Sequence, residues 1–342
     1  MKALLEGKKI LVIGGTGSLG QSLIKAILNY RPQVIRIFSR DEDKQHELQQ
    51  DLGSKPYLRY LIGDIRDKDR LRRAMDGIEM VFHLAALKHV PSCEYNPFEA
   101  VKTNIIGTQN VIDLAMELNV EKVIYTSSDK AISPANTMGA TKLVAERLMS
   151  AADYYKGTSR TVFAAVRFGN VMGSRGSVIP LFKRQIVNGG PVTVTVPEMT
   201  RFMMSQGQAV QLTLEAAQRA RGGEIFVLKM PVVRVIDLAQ VFIEEFAPRC
   251  GYRPEEIETE IIGLRPGEKL FEELMTQEEA KYAMEFEHMF AIPPSYIGGP
   301  FNYAGARPAT QKTYSSKDVE PLCKEGLREL LFREGLIEQR RK

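Results

Sequence analysis

Short runs of β-branched and aliphatic residues recur along the first half of the chain, each followed by a stretch whose apolar positions return at helical spacing. The runs are KKILVIG, VIRIFS, LRYLIGD, MVFHLAA, KVIYTSS and TVFAAVRFGN, and the intervening stretches include Gln21 to Leu28 and Ala100 to Leu118. Strands that are apolar on both faces, alternating with amphipathic helices, build βαβ units on a covered parallel sheet. The pattern predicts an α/β fold with a doubly wound parallel sheet.

After about Met172 the rhythm changes. GSRGSVIPLFKRQIVNGGPVTVTVPEMTRF combines a glycine-rich entry, a helix and a short strand; Gln206 to Ala220 reads as a helix, GGEIFVLK as a strand and Val235 to Phe246 as another helix. Residues 1–172 are expected to form the main domain, with later segments returning to it. Residues 173–292 are expected to form mainly a smaller interleaved α/β lobe for substrate, and 293–342 a C-terminal tail.

Composition narrows the classes. A chain of 342 residues with 44% hydrophobic content can bury a full core. No apolar run approaches the roughly 18 residues that would span a bilayer, and MKALLEGKK leads into a strand without a signal-peptide core, so a cytoplasmic protein with no membrane span is expected. Cys93, Cys250 and Cys323 are far apart, without metal-ligand spacing, and are read as buried free thiols. Four histidines without a partner motif make a metal site an unneeded assumption, and a net charge of +4 without a basic stripe gives no case for nucleic acid; RRK at the end reads as a solvated tail.

The first strand ends in GGTGSLG, comprising Gly14, Thr16, Gly17, Ser18, Leu19 and Gly20, and a helix follows. Glycines at 14, 17 and 20 permit a tight turn, close approach of backbone to a pyrophosphate and close helix packing, the arrangement of a Rossmann-like dinucleotide site. A P-loop would need lysine where Gln21 stands. At the end of the second strand Ser39 and Arg40 suit a 2′-phosphate, which favours NADP over NAD; the other reading makes Arg40 a solvated loop residue and gives the ribose to Asp41. Asp64, followed by Ile65, stands where an adenine contact is expected, or is a turn residue.

The stretch TSSDKAISPANTMGATK, residues 126 to 142, holds the candidate chemistry. TSSDK closes the fifth strand, at the carboxyl edge where open parallel sheets bind ligands. A helix from Asn136 places Ala140, Leu143, Val144 and Leu148 on an apolar stripe, and puts Met138 and Lys142 one turn apart on a face expected to look toward the nicotinamide.

These motifs resemble the extended short-chain dehydrogenase/reductase family, and within it the nucleotide-sugar 4,6-dehydratases. The resemblance rests on GGTGSLG, HLAA, Asn104 in NIIGT, Ser128-Asp129-Lys130, HVPSCEYNP, RFGNVMGSRGSVIPLF, MTRF and RPGEK, and runs from Gly14 to about Met275. A tyrosine usually stands four residues before the helix lysine; here it is Met138, as in some members of that subgroup.

The resemblance implies UDP-N-acetylglucosamine as substrate and a reaction that oxidises C4, eliminates water across C5 and C6, and returns the hydride to C6. It implies Lys130 as the C5 base, Asp129 as the acid at the C6 hydroxyl, Ser128 on the sugar O4, and Lys142 on the nicotinamide ribose. Ala85, Ala86, Lys88 and Asn104 are implied near the cofactor, Lys88 and His89 on the sugar or diphosphate, Asn170, Arg201 and Arg265 on the diphosphate, Arg175 on a phosphate or a neighbouring subunit, and Glu268 on the uridine ribose or orienting the arginine. It also implies a homo-oligomer, dimer or hexamer, serving surface polysaccharide or glycan synthesis. A 4-epimerase and a silent NADP-binding regulatory protein remain as competing readings, the second suggested by the missing tyrosine.

Overall fold

The computed structural model describes residues 1–294 and 303–338, which cluster into two units. The first comprises Met1–Phe168, Ala209–Lys229 and Thr276–Lys312; the second comprises Gly169–Gln208, Met230–Met275 and Thr313–Lys342.

The first unit is built on one sheet. Its strands are β1 (Lys9–Ile13), β2 (Val34–Ser39), β3 (Leu58–Ile62), β4 (Met80–His83), β5 (Lys122–Thr126), β6 (Val162–Arg167), β7 (Ile225–Leu228), β8 (Met284–Glu285), β9 (Met289–Ile292) and β10 (Arg307–Pro308). Their order is β10-β8-β9-β7-β6-β5-β4-β1-β2-β3, parallel from β3 through β7 and antiparallel beyond. The order reverses between β1 and β4, the switch point at which such sheets bind ligands. Residues Ile10 to Ile13, Val123, Ile124 and Phe163 to Val166 are all buried, which is why these strands read as apolar runs.

Three expectations about this unit change. The stretch 100–118 is not one α-helix: Pro97–Ala100 leads into a π-helical segment, Val101–Ile106, before the helix Gly107–Glu117. The wider turn brings Asn104 inward, 1% exposed. The helix Thr137–Tyr155 buries Met138, Thr141, Lys142, Ala145, Glu146 and Met149, while Ala140 and Val144 are exposed. The buried face is instead the one that carries Met138, Ala145, Met149 and Ala152, with Thr141, Lys142 and Glu146 among them. Of the cysteines only Cys93 is buried; Cys323 is exposed.

The second unit gathers the helices Val178–Val187, Val235–Phe246 and Lys324–Arg333 around a core that includes Phe182, Ile186, Val192, Leu238, Phe242, Leu327 and Leu331. Residues 313–338 are therefore not a tail: Tyr314–Ser315 pairs with Glu273–Met275, and the last helix buries Leu327, Leu330 and Leu331 in the core. Ala209–Lys229 and Thr276–Lys312 belong instead with the main sheet. RRK, at 340–342, lies outside the described residues. Among the described residues no helix is long and apolar enough to cross a membrane.

Candidate functional site

The glycine loop has the geometry of a cradle. Gly14 has φ +79°, and a Cβ there would lie 2.8 Å from the Ala85 amide nitrogen, so the loop rests directly on the end of β4. A Cβ at Gly20 would come within 2.6 Å of the Gly14 carbonyl oxygen, so the helix Ser18–Leu28 presses on the loop with its N-terminus. The Thr16 and Ser39 hydroxyls meet at 2.7 Å, tying the loop to the end of β2. Backbone that nothing larger than glycine can line, at a helix N-terminus and a sheet switch point, fits a dinucleotide pyrophosphate.

The neighbouring polar groups divide by how they are already held. Asp41 caps the helix Glu42–Leu52, accepting from the Lys44 amide at 2.9 Å and pairing with the Lys44 ammonium. Arg40 is half exposed, 3.5 Å from the Asp64 carboxylate. Burial alone would raise the Asp64 pKa, but the bonds from Arg66 at 2.7 and 2.9 Å outweigh it and hold the carboxyl below its usual range. Ile65 packs over Gly107, where a Cβ would meet its side chain at 2.5 Å. Asn104 is a clamp: its oxygen accepts from the Leu87 amide at 2.8 Å, and its nitrogen donates to the Leu87 carbonyl and the Thr141 hydroxyl at 3.1 and 2.9 Å. Its amide joins the loop after β4 to the helix at 141.

The turn after β5 and the helix that follows are pressed together. Ser128 precedes a 3-10 turn, Asp129–Ala131, and Asn136 caps the helix by accepting from the Gly139 amide at 2.8 Å. A Cβ on Gly139 would lie 2.3 Å from the Lys130 carbonyl oxygen, so only glycine lets the helix sit this close. Asp129 is fully buried and central: Ser128 Oγ donates to its Oδ1 at 2.6 Å, and Lys130 Nζ reaches Oδ1 and Oδ2 at 3.1 and 3.3 Å. A bland surface ion pair would not show this burial.

Lys142 is held differently. Its ammonium donates to the Thr126 carbonyl oxygen at 2.6 Å and stands 4.3 Å from the centre of the Tyr125 ring. Burial pulls its pKa down to about 7, against a smaller upward pull from Glu146.

His83, beside the same pocket of charge, is pushed down to about 3 by burial and by Lys142, so it is neutral. The Thr108 hydroxyl donates to the Asn104 carbonyl at 2.6 Å, so His83 Nε2, 3.0 Å from that hydroxyl oxygen, carries the hydrogen and Nδ1 is bare. Burial raises the Tyr125 phenol well above its ordinary value.

Met138 faces Cys93 and Ala100, flanked by Leu87 and Val90, in a small apolar cluster, and is 3% exposed. This differs from the nicotinamide-facing position expected of it. Lys88 and His89 are exposed at the start of the helix Val90–Tyr95.

In the second unit Asn170 opens a two-residue strand beside Met203–Met204, and its Oδ1 is buried without a partner; so is the hydroxyl of Ser177, the residue just before the helix Val178–Val187, which makes no side-chain bond to the helix end. Arg175 is exposed between them. Arg265-Pro266-Gly267-Glu268 forms a tight turn, closed by the Glu268 amide donating to the Arg265 carbonyl at 3.0 Å, with Gly267 at φ +78° as such a turn requires. Arg201 departs from its expected role. Buried to 8% exposure, it donates to the carbonyl oxygens of Thr200, Lys269 and Leu270 at 2.7 to 3.2 Å, so it staples the segment after that turn.

Sequence reasoning did not reach Tyr125 and Glu146, which neighbour Lys142, or Arg167 and Glu279 behind Glu146. An arginine closing the otherwise apolar strand VFAAVR was the available signal.

Residues 10–294 match the family described as polysaccharide biosynthesis protein. A protein of Methanocaldococcus jannaschii described as an uncharacterized membrane protein is 54% identical over 95% of this chain and 96% of its own length. A UDP-N-acetylglucosamine 4,6-dehydratase (inverting) of Campylobacter jejuni is 46% identical over 85% of this chain and 84% of its own. A UDP-glucose 4-epimerase of Rickettsia rickettsii is 39% identical over 95% of each. The X-ray structure of Pen from Bacillus thuringiensis superposes with a TM-score of 0.91 at 51% identity, covering 97% of this chain and 99% of that one. With that match and this sheet, the chain belongs to the polysaccharide biosynthesis protein family, on the extended short-chain dehydrogenase/reductase fold.

Proposed function

We propose that this protein is a nucleotide-sugar 4,6-dehydratase that acts on UDP-N-acetylglucosamine with NADP. The observation that carries the reading is Asp129, fully buried between the Ser128 hydroxyl and the Lys130 ammonium at the carboxyl end of β5. When bound, the dinucleotide supplies a hydride acceptor for C4 that gives the hydride back at C6. The glycine loop holds its pyrophosphate. Ser39 and Arg40 take the 2′-phosphate, a role favoured by the commitment of the Asp41 carboxylate to Lys44.

The hydrogen bonds on the turn give a proton route that balances. Ser128 accepts the O4 proton and passes its own to Asp129; Asp129 delivers it to the departing C6 hydroxyl, which leaves as water. Lys130, its ammonium proton first released to solvent, takes the C5 proton and gives it back to C5 once C6 has been reduced. Net, the sugar loses one water and gains a C4 ketone. This route needs no phenol at 138.

In the second unit, Asn170, Ser177, Arg175 and the Arg265–Glu268 turn provide donors for the diphosphate and uridine ribose.

Incubation of the purified protein with UDP-N-acetylglucosamine and NADP, followed by mass spectrometry, tests the reading: loss of one water supports it. An epimerised product of unchanged mass would make it a 4-epimerase, the reading favoured by the Rickettsia relative. Cofactor binding without product would make it a silent regulatory protein. Reaction in D2O, with NMR coupling constants of the product, assigns the configuration at C5.

A further inference from the structure

Glu146 stands one turn after Lys142 on the buried face of the helix, the spacing at which lysine and glutamate ordinarily pair. Its carboxylate is committed elsewhere. Arg167, at the end of β6, donates to both its oxygens, Nη2 to Oε1 at 2.5 Å and Nε to Oε2 at 3.0 Å. The same guanidinium holds both oxygens of Glu279 at 2.9 Å. Arg167 and Glu146 are 0% exposed and Glu279 is 9%, and Glu279 is fixed in turn by the Thr276 amide at 3.0 Å. A buried ion group of this kind is a poor source of stability, because desolvation offsets much of the attraction. Its position asks for another role.

We propose that Arg167 is a positioning residue for Lys142: by holding Glu146 on both oxygens it denies the lysine a carboxylate partner, and so keeps the ammonium at the strand end against Thr126 and Tyr125. The inference rests on the reading in which Lys142 serves the oxidation of the sugar.

The groups around Lys142 are few. From β5 come the Tyr125 ring and the Thr126 carbonyl, from β4 the neutral His83, and from its own helix Glu146. Behind Glu146 lie Arg167, Glu279 and the half-exposed Arg147, 3.8 Å from Glu279. The turn packed on the first part of the helix contributes Asp129 and Lys130, which pair with each other. Only Glu146 among these is an anion one turn away on the same buried face. Burial now outweighs its field and brings Lys142 to about 7; a direct ion pair would reverse that balance and draw the amine along the helix, away from the site.

The test follows the Lys142 charge directly, without substrate or cofactor. Protein labelled with 13C at lysine Cε is titrated by NMR, and the Lys142 signal is assigned by its loss in Lys142→Arg. Arg167→Met alone would leave Glu146 without its guanidinium and Glu279 with only Arg147 at 3.8 Å, so it is combined with Glu279→Gln. In that double variant the Lys142 midpoint is expected to rise by at least tenfold in proton affinity, and adding Glu146→Gln is expected to abolish the rise. Arg167→Lys, which keeps the charge and loses the fork, should shift it the same way by less. An unchanged or lower midpoint in the double variant and in Arg167→Lys, or a rise that survives removal of Glu146, overturns the proposal. If no dehydrated product is ever found while the midpoint moves, the function reading fails and this one stands; a dehydratase whose midpoint does not move is the reverse case.

Discussion

Lys130 and Lys142 belong to one turn and one helix, yet they are held in opposite ways. Lys130 is partly exposed and bound to a carboxylate. Lys142 is buried, bound to a carbonyl and a ring face, and burial brings its pKa down to about 7. Two lysines in one sequence motif are therefore not two copies of one function: the partner, more than the residue type, sets them apart. On the proposed mechanism this separates a base that shares its turn with the acid Asp129 from an amine set against the end of β5.

The largest way to break the comparison is at Lys130. Lys130→Met should lower dehydration by on the order of 10²–10⁴-fold, with cofactor affinity, read by fluorescence titration, nearly unchanged. An active Lys130→Met variant would remove the base from the mechanism.

Asp129→Asn comes next, with a loss of about 10²-fold.

Lys142→Met is expected to alter stability with a definite pH dependence. Its folded pKa lies below the unfolded value, so the unfolded chain binds more protons between about pH 7 and 10, and wild-type stability rises with pH across that window. The variant, measured against wild type by urea denaturation, should therefore gain most at pH 6 and lose its advantage by pH 10.

The smallest effects belong to Met138. Met138→Leu fits the Cys93 and Ala100 cluster and should cost less than about 1.5 kcal/mol with little change in turnover. Met138→Tyr must place a hydroxyl in that cluster, at roughly 1–3 kcal/mol, without a large gain in activity. A large gain would mean that position 138 is an impaired proton carrier.

How much of this was legible follows from the distances along the chain. The strands, the glycine loop and the SDK turn are local patterns, and local patterns can be read directly. The Arg167 group joins positions 21 and 112 residues apart, and no periodicity links them. At the helix 137–155 the stripe Ala140, Leu143, Val144 and Leu148 was not the buried one, because Met138, Ala145 and Met149 pack inward together with Thr141, Lys142 and Glu146. Arg201 was expected at a phosphate since arginine forks suit one; carbonyl oxygens of a folded-back segment suit the fork as well. The final helix was hidden behind a Pro/Gly-rich approach, although Leu327 and Leu331 carry helical spacing and are both fully buried.

Gly139 has one more consequence. With a clearance of 2.3 Å where a methyl group would go, the turn and the helix behave as a single machined part whose tolerance is set at that position. The two lysines cannot be respaced by gradual substitution there, since the first added carbon already collides with backbone. On the proposed function, the proton-moving block is inherited whole.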